Sequence, residues 1–526
     1  MAGTGDGSGG TARRIGWIAL ALSASVALSR LLGFVREAVL ARVLGVSAEA
    51  DAYYAAFMLP DLLNYFLAGG ALSLAFIPLY TQLREREGQA VAQLFFANVL
   101  GVSAGLATLA TVVLFLAAEA LVALQFPRFG PEQTALTVRL TRILLPAQIF
   151  FIAGGVIKGA LMSHDRFVAQ SLAPLVYNAA IIVGGVFFGA QFGAEGFAWG
   201  ALVGAVLGPF GLAIWEARRV PVLSLGLRFA LRDPALHRYL KMALPLMLGV
   251  TLLTVDEWYD KWFGGLLVTG SVAALSLARR LMLLPVAVVG QAIATAAMPA
   301  LSRLHAEGRH TELDALLLGT LRAGVTLACL GGAATFALAE PLVAFVYEGG
   351  AFDAAAAKRV TLLLQVFALG VPAWIAQQIG VRGFYARGDT WRPMWLGTAI
   401  AVAAAGLYYG LGQRFGAVGL AWAGVLGISA NALAMLGLLR RVHGGPPLGP
   451  FFASAARALG VATLAGAVTA WIPPLGGEGT LGALMQGAAG GAVFAAVALP
   501  ALWAVGDDAQ REALAGIGRR LGRRRG

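Results

Sequence analysis

The stretch SRLLGFVREAVLARVLG, residues 29–45, places Arg30, Arg36 and Glu37 inside a segment whose other residues suit lipid. An arginine at the bilayer centre costs about 2.5 to 3.5 kcal/mol on insertion scales, so it normally faces a bundle interior or a wet cavity and finds a partner there. The alternative is a short first span from which Arg30 snorkels to an interface. Arg30 and Glu37 are seven residues apart, nearly on one helix face, whereas Arg36 points about 120° away from Arg30. Both arginines can face one cavity only if it is broad or the helix deforms, and Gly33 between them predicts a bend there. Glu37 reads as a local partner for them.

The surrounding chain explains why charge is costly here. Of 526 residues, 59% are hydrophobic and only 13% charged, and apolar runs of about 20 residues, enough to cross a bilayer as helices, recur along the sequence. This is the composition of an all-α polytopic membrane protein; a soluble chain this apolar would expose too much greasy surface. The 69 glycines suit close helix packing. A single cysteine, Cys329, excludes an intrachain disulfide and a cysteine-rich metal site.

The net charge of +12 matters through its location. Arg13 and Arg14 precede the first span, and Arg519, Arg520, Arg523, Arg524 and Arg525 close the chain, so both termini are expected in the cytoplasm and the number of spans is even. Short basic tails beside a membrane are a topology signal, and no nucleic-acid partner is expected. Residues 1–12 read as a disordered leader. The run that follows resembles a secretory signal, but with so many later spans it is expected to stay uncleaved.

Candidate spans lie at 15–44, 51–80, 90–124, 133–162, 167–190 and 196–216, then at 242–266, 271–301, 313–346, 356–385, 391–411 and 417–439, with two more at 452–473 and 480–505, about fourteen in all. The expected organisation is an N-lobe at 13–217, a cytoplasmic linker at 218–241, a C-lobe at 242–441, two extra helices within 442–507 and a basic cytoplasmic tail at 508–526. The basic residues Arg84, Arg86, Arg166, Arg218, Arg219, Arg303, Arg309, Arg387, Arg392, Arg440 and Arg441 fall in the predicted inner loops. Arg128 and Arg414 are the main exceptions.

An internal repeat ties the lobes together. FGAEGFAW at 192–199 returns as FGAVGLAW at 415–422, a shift of 223, with shifts of 222 to 224 pairing Gly159 with Gly383, Asp165 with Asp389 and Arg218-Arg219 with Arg440-Arg441. Pro60 and Pro78 find looser echoes in Pro285 and Pro299. Six spans per repeat keep both halves in one orientation, so the repeats are parallel, and transporters so built expose a substrate site alternately to the two sides of the membrane.

Three spans carry candidate chemistry. The second holds Asp51, Pro60-Asp61, Asn64, Gly69-Gly70 and Pro78, which should bend it and present backbone groups to a cavity or merely kink it. The seventh holds Asp256 and Asp260 on one face and Glu257 and Lys261 on the next. Two neighbouring carboxylates attract a proton or a sodium ion; a structural ion pair or a helix end in the headgroups is the plainer reading. The eighth holds Arg279 and Arg280, about 100° apart, so one is expected to face a cavity and the other to pair or snorkel. Lys158, Arg322 and Arg382 lie near span ends and are expected to snorkel. No phosphate loop, metal-binding histidine pair or nucleophile with its base is present, so the chain reads as a transporter and not an enzyme, without cofactor, driven by membrane potential, a proton or sodium gradient, or the substrate's own gradient.

The motifs SRLLGFVREAVLARVLG, ADAYYAAFMLP (50–60), GALSLAFIPLY (70–80) and ARRLMLLP (278–285) resemble the MurJ/MviN family of lipid II flippases, part of the superfamily of multidrug, oligosaccharidyl-lipid and polysaccharide exporters. That resemblance implies a bacterial cytoplasmic (inner) membrane protein with membrane lipids around it. It would act as a monomer to move lipid II, the undecaprenyl-pyrophosphate-linked peptidoglycan precursor, from the inner to the outer leaflet by alternating access. It also implies that Arg30, Arg36 and Arg280 meet the pyrophosphate and that Asp51 is the acidic residue before the second span, with Glu37, Asn64 and Arg279 as gating or cavity residues. Arginine forks suit phosphate oxygens. The two extra helices are associated with a groove for the lipid tail. Asn64 and Gly69 stand where many members have arginine and glutamate. Asp260 matches a sodium-site aspartate, but its expected partners fall on Ala404 and Tyr408, which makes sodium coupling doubtful. The alternatives are a flippase for another polyprenyl-linked glycan (an O-antigen or exopolysaccharide unit), a cation-coupled drug exporter, disfavoured by the basic first span, and a non-transporting envelope scaffold.

Overall fold

Glycine marks where paired spans reverse. Gly193 has φ 52° and ψ −127° between two helices, and Gly416, 223 residues on, has φ 61° and ψ −141°. The computed structural model describes residues 7–68, 75–248, 252–287, 291–473, 479–512 and 514–515. Gly69, Gly70, the first six residues of the leader and Arg519, Arg520, Arg523, Arg524 and Arg525 of the tail lie outside the described residues.

The chain divides into two units, 1–249 and 250–526. In the first, α1 (Gly7–Leu44) is followed by α2 (Ala48–Ala56), α3 (Met58–Ala68), α4 (Ile77–Arg86), α5 (Gln89–Gln125), α6 (Pro131–Leu144), α7 (Ala147–Met162), α8 (Val168–Phe192) and α9 (Ala194–Ala205). A π-helical segment at Val206–Leu212 carries Pro209 and leads to α10 (Ala213–Ala217); α11 (Pro234–Leu248) ends the unit. The second unit contains α12 (Leu252–Gly264), α13 (Ser271–Pro285), α14 (Gln291–Ala306), α15 (His310–Ala337), α16 (Ala339–Tyr347), α17 (Ala354–Leu369), α18 (Val371–Tyr385), α19 (Trp391–His443), α20 (Leu448–Ala470) and α21 (Thr480–Val505).

Among the described residues, α5, α6 with α7, α8, α9 through α10, α15, α19, α20 and α21 are long and apolar enough to cross a membrane; α17 and α18, bent by 41°, make a ninth candidate. Helix α19 holds two of the expected spans, which meet at Gly416. Spans two, seven and eight fall on shorter helices. The second is interrupted as its prolines suggest: a proline ring collides with the carbonyl four residues back, and α2 stops at Ala56, four before Pro60. Helix α1 differs from expectation at both ends of its argument. It starts at Gly7, inside the stretch read as a leader, and it runs unbroken through Gly33.

The repeat is visible in the backbone. Helices α2 and α13 start 223 residues apart, as do α8 and α19. The spans made of α6–α7 and α17–α18 both break near their middle. Across the loop after α7 the register is 223, which sets Asp165 over Gly388 and not over Asp389. Within unit 1, Gly196, Gly200, Gly204 and Gly208 form a four-residue stripe on which α8 lies. A Cβ at Gly200 would stand 2.6 Å from the Ala180 carbonyl oxygen, so only a bare backbone permits this approach.

The expected linker is not a free tether. Buried Asn98 on α5 accepts from the Ala230 N–H at 2.8 Å and donates to its carbonyl at 3.0 Å, while the Arg228 N–H donates to the Ala97 carbonyl at 3.0 Å. Gln89 donates to the Val222 carbonyl at 3.2 Å, Gln93 to that of Ser224. Residues 222–230 thus form an extended strap on α5, and from Pro234 the linker is already helical.

Candidate functional site

Each unit buries a carboxylate of its first helix against an arginine and a tyrosine hydroxyl. In unit 1 the carboxylate is Glu37, 3% exposed. Arg36 Nη2 donates to Glu37 Oε1 at 2.5 Å and Tyr54 donates to Oε2 at 2.8 Å. Arg36 Nη1 donates to Asn178 Oδ1 at 3.1 Å, and Asn178 is itself oriented by its amide, which donates to the Pro174 carbonyl at 3.0 Å. This couples α1, α2 and α8. Removing one partner of such a buried pair costs about 3 to 5 kcal/mol because the other charge stays in low dielectric.

Arg30 does not join Arg36. It is exposed on α1, whereas Arg36 turns inward, as the 120° separation on an unbroken helix requires. The expectation that a bend at Gly33 brings both arginines to one cavity is therefore corrected. Asp51 is buried in the first turn of α2, where the helix dipole favours a carboxylate, and Ser47 caps that turn by accepting the Ala50 N–H at 3.1 Å. Asn64 donates to Gln148 Oε1 at 2.9 Å and so ties α3 to α7. The counterpart position Gly69 is outside the described residues.

In unit 2 the carboxylate at the repeat position of Glu37 is Asp260, and Asp256 stands one turn before it, both 2% exposed. Arg279 lies between them: Nε donates to Asp260 Oδ2 at 2.7 Å, Nη2 to the same oxygen and Nη1 to Asp256 Oδ2. Tyr408 donates to Asp256 Oδ1, and the Phe367 ring lies 4.7 Å beneath the guanidinium. Among the described residues Asp260 Oδ1 has no hydrogen-bond partner. The two aspartates are thus bridged by the Arg279 side chain, an arrangement of the structural ion-pair kind that the sequence left open beside a proton or sodium site. Arg279 is the buried arginine of the two. Arg280, more than a third exposed, stands 3.7 Å from Glu257, which also holds buried Lys261 at 3.3 Å.

The quasi-symmetry extends one contact further. Arg36 reaches Asn178 across α1 and α8; 223 residues later Tyr259 donates to the Ala401 carbonyl at 3.1 Å across α12 and α19. The repeat shift applied to Glu37 would have found Asp260 from sequence alone. No sequence signal pointed to Tyr54 or Asn178. Arg322, expected to snorkel, instead meets Asp507 at 2.8 Å; Asp507 also binds Arg457 at 2.8 Å and accepts from Ser454, so α15, α20 and the turn after α21 share one carboxylate. Among the described residues no group of three His, Cys, Asp or Glu side chains is placed to hold a metal ion.

Two repeats of membrane-length helices, each with a buried ion cluster on its first helix, define a polytopic transporter. The fold is that of solved structures titled "Lipid II flippase MurJ, inward closed conformation" (TM-score 0.76, 22% identity, covering 90% of this chain and 97% of that one) and an inward-facing multidrug resistance MATE family transporter of the MOP superfamily (TM-score 0.68, 18% identity, 79% and 97%). The chain belongs to the lipid II flippase MurJ family, whose model matches residues 40–486. A "Lipid II flippase MurJ" of Burkholderia cenocepacia is 30% identical over 430 residues, 80% of this chain and 83% of that protein. A Rhizobium tropici protein described as "Probable lipid II flippase MurJ" is 33% identical over 386 residues, 71% of each. The family match begins after Arg30, Arg36 and Glu37.

Proposed function

We propose that this protein moves lipid II from the inner to the outer leaflet of a bacterial cytoplasmic membrane, by exposing a binding site alternately to the two sides, with both termini in the cytoplasm. The observation that carries this reading is the family match over residues 40–486. Arg36 supplies the chemistry: its fork is held by Glu37 and Asn178, and a pyrophosphate competes for it with two oxygens of higher charge. Arg30 and Arg280, both more accessible, contribute further positive charge, and Asp51 and Glu37 tune the arginines.

The test is to deplete the native lipid II flippase of a bacterium, express this chain, and follow growth together with labelled precursor reaching the outer leaflet. Rescue is expected, and Arg36→Ala and Arg280→Ala are expected to abolish or strongly reduce it. Well-inserted protein that rescues neither growth nor precursor exposure overturns the reading, and rescue of a strain lacking an O-antigen-unit flippase instead reassigns the substrate.

A further inference from the structure

The lipid-independent question is what balances the buried carboxylates of α12. A hard cation is held by several oxygens at once. Here Asp256 has both oxygens engaged, one by Tyr408 and one by Arg279, and Asp260 has Oδ2 engaged by Arg279, so among the described residues Asp260 Oδ1 is the one oxygen of the pair without a hydrogen bond. Ala404 offers no side-chain donor. The residues present therefore do not fit a sodium ion, and the guanidinium lies between the two aspartates.

The charge balance says the same. The carboxylates on α12 are Asp256, Glu257 and Asp260; the cations on α12 and α13 are Lys261, Arg279 and Arg280, of which Lys261 and Arg280 pair with Glu257 and Arg279 with the two aspartates. The flanking α17 and α19 add the neutral groups Phe367 and Tyr408, and α12 itself adds Tyr259. Summed over α12 and α13, three acids meet three bases, with two of the acids on Arg279 and two of the bases on Glu257. Unit 1 repeats the arrangement on a smaller scale, with Glu37 neutralised by Arg36 and accepting from Tyr54.

We propose that Arg279 is a resident cation: its guanidinium takes the place of a monovalent ion between Asp256 and Asp260, so unit 2 keeps its ion cluster closed without sodium. The inference goes beyond the substrate reading and stands or falls separately from it. Burial and the Phe367 face favour a weakly hydrated guanidinium there over a small, strongly hydrated ion.

The experiment follows the thermal midpoint of the full-length protein while sodium chloride replaces choline chloride at constant ionic strength. The wild type is expected to show no sodium-specific shift. Arg279→Ala is expected to lose several degrees, to regain most of them with millimolar guanidinium chloride, and to acquire a sodium-specific stabilisation that Asp260→Asn removes. Should Arg279→Ala not fold, Arg279→Lys is expected to be more stable than Arg279→Gln, because the charge and not the shape is required. A saturable sodium stabilisation of the wild type that Asp260→Asn abolishes overturns the proposal. So does an Arg279→Ala protein that responds to neither cation, or an Arg279→Gln protein as stable as Arg279→Lys.

Discussion

Asp165 adopts the left-handed conformation that Gly388 adopts 223 residues later, with φ 55° and 74°. The loops around them are closed by the same bonds: Asp165 N–H to the Met162 carbonyl at 3.1 Å and Arg166 N–H to that of Leu161 at 3.0 Å, matched by Gly388 to Tyr385 and Asp389 to Phe384, both at 3.0 Å. Among the described residues Asp165 alone takes positive φ without being glycine. An L-residue pays about 1 to 2 kcal/mol for that conformation, least for Asp and Asn. Asp165→Gly is therefore expected to match or exceed wild-type stability, and Asp165→Val to lose at least about 1 kcal/mol, read as a fall in thermal midpoint. Equal midpoints for the two variants would contradict the strain argument.

Gly193 and Gly416 share a backbone conformation but not an environment. A Cβ at Gly416 meets nothing within 4 Å, whereas one at Gly193 would stand 1.9 Å from Glu49 Oε1, the atom that accepts the first N–H of α9 from Ala194 at 2.6 Å. Gly416→Ala carries the strain alone, on the order of 1 to 3 kcal/mol. Gly193→Ala adds the displacement of a helix-capping carboxylate, about 1 kcal/mol more. The larger midpoint loss is expected for Gly193→Ala, and the reverse order would contradict the added cost of displacing Glu49.

These turns also show what the sequence could disclose. The octapeptides FGAEGFAW and FGAVGLAW are alike because a reversal between two packed helices needs glycine at one place and small residues around it. Identity at such a position survives where the lipid-facing residues drift. Arg279 was not legible in the same way. Adjacent arginines differ by one rotation of the helix, and which one turns inward depends on where Asp256, Asp260 and Tyr408 lie in three dimensions. The bend expected at Gly33 failed for a related reason: glycine permits a bend, but Arg36 finds Glu37 and Asn178 without one.

His164 gives a pH dependence with a defined sign. Arg84 can only donate, so at 3.3 Å the ring's Nδ1 accepts and Nε2–H donates to the Tyr80 oxygen at 2.9 Å, an arrangement that needs a neutral ring. Burial first, and then the Arg84 charge, lower its pKa below the usual 6.5, against an opposing pull from Asp165. The unfolded chain then binds the proton more readily. The stabilisation is complete above the unfolded value and is lost as pH falls through the folded one. The thermal midpoint should fall between pH 7.5 and 5.5, approximate limits set around the ordinary histidine value, and His164→Gln should flatten the part of that slope due to this loop. A slope unchanged by the substitution would remove His164 as its source.

The strap on α5 can be released without touching either ion cluster. Asn98→Ala leaves the Ala230 N–H and carbonyl without their side-chain partner in a part-buried place, a loss of about 1 to 3 kcal/mol that falls on the strap and not on the helices. Gly101→Val acts on the same segment sterically, since even a Cβ there would stand 2.2 Å from the Arg228 carbonyl oxygen, a backbone atom that cannot turn aside. Both variants should expose residues 222–230 to faster hydrogen exchange and to tryptic cleavage after Arg228, while the exchange of α8 and α9 stays at its wild-type rate. Because the affected bonds all lie within one unit, faster exchange throughout unit 1 would mean that the strap is part of the cooperative core. Exchange unchanged in 222–230 would mean that Gln89, Gln93 and the Arg228–Ala97 bond hold it alone.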